Sequence, residues 1–151
     1  MAQTELEKAL QLLGGPASGL GPRVIKKKWK HLGWVDVIRS GLPSGALEST
    51  GRQLRISLKD LSTNLRLPGR TLHRRIEKGE RLTSEETERL VRLARAAAKA
   101  QELLGEDSGM QWVRRPCRGL AGETPLSMLD TADGFISVMD ELGRLEFGVV
   151  S

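Results

Sequence analysis

Few side chains in this sequence are equipped to make or break bonds. The histidines are His31 and His73, and the single cysteine is Cys117. They form a nucleophile pair only if the fold brings a ring beside the thiol, and a histidine among basic neighbours more often serves structure or a DNA contact. One cysteine supplies neither an internal disulfide nor a Cys-rich zinc site. Gly14 and Gly19 have the separation of a phosphate-binding loop, yet Leu20 and Gly21 follow where that loop needs a lysine and a hydroxyl residue. Catalysis is therefore not expected, and no cofactor or metal is called for. Side chains suited to gripping a polyanion are abundant instead. Arg70, Thr71, His73, Arg74, Arg75 and Lys78 follow Pro68, with no acid between Pro68 and Ile76. Arginine matches guanine O6 and N7 in two-point fashion, while lysine acts as a point charge toward phosphate.

Stepping outward from these cations, residues 57–79 read as a helix-turn-helix. Ser57 is an N-cap candidate with Asp60 three residues on, and Leu58, Leu61 and Leu65 form an apolar stripe. A break at Arg66-Leu67 follows, with Arg66 where glycine is usual in such a turn. Pro68 opens a second helix that buries Leu72 and Ile76 and ends at Gly79. Gly69 and Thr71 keep its start small for close approach to a groove, and the long donors lie beyond them. A charged hairpin with a solvated basic side is the bland alternative.

The flanking elements are helical too. Thr4 and Glu7 open a capping box on a helix ending at Leu13, followed by a Gly/Pro-rich connector to Pro22. Arg23–Lys30 is a basic run around Trp29, either a phosphate-contacting arm or a solvated extended segment. A helix over Leu32–Ser40 ends at Gly41-Leu42-Pro43, and a Ser44-capped segment is interrupted by Gly51. Thr83 and Glu86 open a second capping box on a long helix to Leu104, whose Ala96-Ala97-Ala98 permits close helix approach. After Gly105 come a short helix over Met110–Arg115, a turn at Gly119–Gly122, a helix begun by Thr124-Pro125, and a last helix capped by Thr131. The expected division is residues 1–22 as N-terminal helix and linker, 23–104 as the DNA-binding domain and 105–151 as a separate C-terminal domain. The fold class is all-α, a helix-turn-helix module followed by a small helical module.

Charge follows the same division. Residues 23–82 hold fifteen Lys or Arg against five acids, net +10, whereas residues 105–151 hold four against eight, net −4. A polyanion is drawn to the first and repelled by the second, so two surfaces for two partners are expected. Two Phe, three Trp and no Tyr give few stacking platforms for single-stranded RNA. No uncharged apolar run approaches the ~20 residues of a membrane span, and Glu5 and Glu7 stand where a signal peptide carries positive charge. A cytoplasmic protein without a membrane partner is expected.

Certain motifs resemble a known family. Trp112-Val113-Arg114-Arg115-Pro116, Leu120-Ala121-Gly122-Glu123-Thr124-Pro125-Leu126, Leu129-Asp130-Thr131, Gly134 and Leu142 through Val149 are similar to the toxin-binding domain of the Xre/MbcA/ParS antitoxins. Gly41-Leu42-Pro43, Arg70 through Arg75, and Arg81-Leu82-Thr83 with Glu85 and Glu86 resemble the helix-turn-helix part of the same antitoxins. The likeness spans about residues 32–151, with Cys117–Gly119 departing from the family's usual Asn-containing turn. It implies a type II antitoxin that neutralises a RES-class, NAD-destroying toxin by direct contact and binds the operator of its own operon as a repressor. It places the toxin contact at Arg144, Glu146, Phe147, Gly148, Val149, Val150 and Ser151, with the tail blocking the NAD pocket and Glu146 and the Ser151 carboxylate meeting its basic lining. A homodimer on double-stranded DNA is expected, joined through the N-terminal helices or through Thr83–Leu104. A helix-turn-helix regulator without a toxin partner would use the same basic helix.

Overall fold

A computed structural model of the chain describes residues 5–15 and 30–148. The proposed cap Thr4, the basic run up to Trp29 and the tail Val149–Ser151 lie outside those residues. Eight α-helices form the described part: α1 (Glu5–Leu12), α2 (Lys30–Ser40), α3 (Gly45–Leu54), α4 (Leu58–Asn64), α5 (Gly69–Lys78), α6 (Ser84–Leu104), α7 (Glu106–Arg114) and α8 (Ala132–Glu146). Two single 3₁₀ turns, Arg118–Leu120 and Leu126–Met128, separate α7 from α8. No strand occurs among the described residues, where the one extended pairing is an isolated bridge between Pro43 and Arg81.

The long helix α6 is the spine. Its start is fixed by the reciprocal capping box predicted from Thr83 and Glu86: the Glu86 N–H donates to Thr83 Oγ1 at 3.2 Å, and the Thr83 N–H donates to Glu86 Oε1 at 2.9 Å. Leu90, Leu93, Ala94, Ala96, Ala97, Ala98 and Ala100 are all fully buried, because α1, α2, α7 and α8 pack around the same helix. Small side chains on several sides allow several neighbours. The alanines are thereby consumed within one chain, and the core is continuous from Leu6 in α1 to Leu142 in α8.

Helix α1 is hydrogen-bonded to α3 and packs on α6. The Thr50 hydroxyl donates to Leu12 O at 3.0 Å and Gln53 Nε2 to Gln11 O at 2.9 Å, covering C-terminal carbonyls that α1 cannot satisfy itself. Three local expectations need correction. Helix α3 runs through Gly51 without a break, and glycine is required there because a Cβ would sit 2.7 Å from Ile56 O. Helix α7 begins at Glu106, four residues before the predicted start, because Gly105 turns the chain at φ +93° and a new helix follows at once. The segment after Thr124-Pro125 makes only the 3₁₀ turn Leu126–Met128. Thr131, as expected, caps the last helix by accepting from Gly134 N at 3.0 Å.

Candidate nucleic-acid interface and partner-binding surface

Helices α4 and α5 build the helix-turn-helix. Ser57 Oγ accepts from Asp60 N at 3.0 Å and starts α4. Leu61, Leu65, Leu67 and Leu72 are buried, so both helices and the turn are pinned from beneath. The turn residue Arg66 takes the left-handed conformation at φ +54° that glycine usually supplies. Its side chain finds Asp130 Oδ2 at 2.8 Å and its carbonyl accepts from Arg89 at 3.2 Å. An arginine thus occupies the turn position and ties it to the C-terminal module. Arg92 adds a hydrogen bond to Asp130 O at 3.3 Å.

On α5 the outward residues are Gly69, Arg70, His73, Arg74, Glu77 and Lys78, with Thr71 half-buried at the start. None of the cations Arg70, Arg74 and Lys78 has an ion-pair partner among the described residues. A Cβ at Gly69 would touch nothing, so no internal crowding demands glycine there. Together these groups form a cationic surface at the start and outer side of one helix, with Glu77 as its one exposed acid.

Arg75 is different from the other predicted DNA contacts. Its guanidinium turns inward to Glu86, with side-chain exposures of 16% and 6%. It clamps the end of α5 to the start of α6 and is a structural residue in this arrangement. The same corner is laced by Ser44 Oγ donating to Arg75 O at 3.2 Å, Arg81 donating to Gly41 O at 2.6 Å, and Leu42 N donating to Thr87 Oγ1 at 3.0 Å. Burial opposes ionisation of Glu86, but hydrogen bonds from Thr83 and Arg75 outweigh it and hold the carboxyl below the ordinary range. The capping box was legible in the sequence; the second partner of Glu86 was not, since Arg75 reaches it only once α5 and α6 have packed.

The other surface lies on α8. Three of the large apolar side chains that remain exposed are here: Ile136 at 55%, Leu145 at 43% and Phe147 at 79%. The charges around them are internally matched. Glu146 Oε2 meets Lys99 Nζ at 2.8 Å, which raises the lysine pKa, chiefly through that hydrogen bond. Arg144 Nε donates to Glu141 Oε2 at 2.8 Å, and the Glu141 carboxylate lies against Gly119, where a Cβ would collide with it. Of the predicted toxin contacts, then, Arg144 and Glu146 anchor the end of α8, while Phe147 and Gly148 are presented to solvent. Val149, Val150 and Ser151 lie outside the described residues. Lys99 and Glu141, which do this anchoring, were not singled out by their sequence context.

Cys117 is half-buried and His73 exposed on α5, and no group of three or more His, Cys, Asp or Glu among the described residues is disposed to hold a metal. No described helix is long and apolar enough to cross a membrane.

Comparison with known proteins covers both regions. Residues 33–95 match the antitoxin Xre-like helix-turn-helix domain, and residues 99–148 match the antitoxin Xre/MbcA/ParS C-terminal toxin-binding domain. An Antitoxin Xre of Yersinia enterocolitica is 35% identical over 119 residues, covering 78% of this chain and 80% of its own. An Antitoxin Xre of Photorhabdus laumondii is 34% identical over 120 residues, covering 76% and 79%. A protein of Sphingobium sp. named Prs ADP-ribosylating antitoxin is 25% identical over 124 residues, covering 76% and 78%. With a helix-turn-helix and a toxin-binding domain in that order, and relatives 35% and 34% identical over more than three quarters of both chains, the chain belongs to the Xre antitoxin family.

Proposed function

We propose that this antitoxin silences a RES-class, NAD-consuming toxin by seating its last residues in the toxin's nucleotide pocket, and that it represses its own operon through α5. The observation that carries the first part is Phe147, 79% exposed at the end of a helix whose final turn is held by Lys99–Glu146 and Arg144–Glu141. A large ring left in water at a firmly held point gains about 2 kcal/mol when a partner buries it. Val149, Val150 and Ser151 continue from it in the sequence. Glu146 contributes first as the anchor to Lys99. The name of the Sphingobium relative supports an NAD-using partner, because ADP-ribosyl transfer consumes NAD with release of nicotinamide. Hydrolysis and transfer are both stopped by the same plug.

The DNA part rests on the unneutralised cations of α5. Arg70, His73 and Arg74 read or approach bases, Lys78 meets phosphate, and Gly69 and Thr71 allow the helix start close to the groove. Two copies on half-sites about one DNA turn apart complete the repressor. A regulator acting without a toxin leaves the match over residues 99–148 without a purpose.

Deleting residues 147–151 tests the plug. Co-expressed with the toxin from the adjoining reading frame, the truncated chain is expected to co-purify with the toxin while cellular NAD still falls. Full protection of NAD by the truncated chain overturns the reading.

A further inference from the structure

Glycines inside helices weaken them relative to alanine, so each needs a reason. For Gly51, Gly109 and Gly134 the reason is internal: an added Cβ would come within 2.7 Å of Ile56 O, 2.5 Å of the Gln101 backbone and far inside contact distance of Met128 O. Gly143 has no such reason. It lies within α8, is absent from the positive-φ residues, and a Cβ there would meet nothing within 4 Å. Gly45 and Gly69 have the same open space but stand at the first positions of α3 and α5, whereas Gly143 lies in the body of α8, where the backbone is open to close approach.

Gly143 is also not isolated. Asp133, Ile136, Asp140, Gly143 and Phe147 follow one another at spacings of three and four, which places them along one outer arc of α8. Asp133, Ile136, Asp140 and Phe147 are exposed, and neither aspartate has an ion-pair partner among the described residues. The stripe is therefore apolar at Ile136 and Phe147, hollow at Gly143, and acidic between.

We propose that this stripe of α8 is the surface on which the toxin docks, with Gly143 the point of closest backbone approach, and that the toxin segment lying on it is apolar with flanking Lys or Arg. Two observations choose the toxin as occupant. The stripe lies within the residues matching the toxin-binding domain and runs directly into Phe147. Its aspartates call for a basic partner, whereas a second copy of α8 would bring acid against acid. The inference rests on the chain having a toxin partner and not on how the tail acts: docking on α8 supplies affinity, and the tail supplies inhibition.

The test uses the full chain and the toxin encoded beside it. Gly143→Arg is expected to weaken toxin binding by roughly 100-fold, a hot-spot effect, with the thermal midpoint of the free antitoxin unchanged or raised because the space is open. Gly143→Ala is expected to raise the midpoint and weaken binding less. Asp140→Lys serves as a second variant on fully exposed ground and is expected to slow association. Wild-type affinity in Gly143→Arg overturns the proposal. So does a wild-type dimer that Gly143→Arg converts to monomer with toxin affinity intact, since the stripe would then join copies. Deletion of 147–151 separates this from the plug: a truncated chain that still binds but no longer inhibits supports the stripe, and one that loses the complex while Gly143→Arg keeps it assigns docking to the tail.

Discussion

Helices α5 and α8 are both amphipathic, both end in a basic-acidic clamp, and both present a small residue with open space above it. They differ in what they leave unmatched. On α5 the clamp uses Arg75 with Glu86 from the next helix, and Arg70, Arg74 and Lys78 remain without counter-charges. On α8 the clamps use Glu146 and Arg144, and the groups left over are the apolar Ile136, Leu145 and Phe147 together with Asp133 and Asp140. Charge left unmatched suits a partner whose own charge is fixed and repeated. Apolar area left unmatched suits a partner that can bury it. The two helices are built on the same plan, each burying an apolar stripe, and diverge in what their outer faces carry.

The sharpest way to break the comparison is at the α5 clamp. Arg75→Ala leaves Glu86 buried beside its cap without a cation, and removing one partner of a buried pair costs about 3 kcal/mol of stability. Arg74→Ala on the exposed side is expected to leave stability within about 0.5 kcal/mol and to weaken operator binding by about 1–3 kcal/mol. Urea unfolding of the two variants beside operator titrations at fixed salt separates them. Equal stability losses would erase the distinction between clamp and contact.

Salt sharpens the comparison next. Each phosphate neutralised by Lys78 or another α5 cation weakens DNA binding by roughly 3.5-fold per chain as salt rises from 50 to 200 mM. Toxin binding is expected to weaken less, since Ile136, Gly143 and Phe147 contribute apolar area that salt does not screen and only Asp133 and Asp140 contribute charge. Parallel salt slopes for the two partners would contradict the division.

Acid gives the smallest effect. The Glu86 carboxyl is held below its unfolded value, so its contribution to stability is present above about pH 4.3 and is lost as pH falls through the folded value. Glu86→Gln is expected to lower the melting midpoint at neutral pH and to flatten its acid dependence. A variant as acid-sensitive as wild type would mean that other carboxylates carry the transition.

Much of the framework was readable in the chain because it depends on local chemistry. Ser57, Thr83 and Thr131 cap the helices they were expected to cap, through partners three residues away. Leu61, Leu65 and Leu72 fall inward because their spacing matches the helical period. Gly51 misled because its strongest constraint, the carbonyl of Ile56, lies across a turn. Pro125 misled because a helix start says nothing of how soon packing will end it.

Sequence by itself therefore determined the all-α fold, the order of its two modules and the sign of each surface, since caps, periodicity and net charge act over a few residues. Tertiary structure alone decided that Arg75 belongs to Glu86, Glu146 to Lys99 and Arg66 to Asp130, and that the space above Gly143 is empty. A cation in a sequence has no address: whether it meets a buried carboxylate or water depends on which helices pack beside it, and that geometry exists only after the core between them has closed.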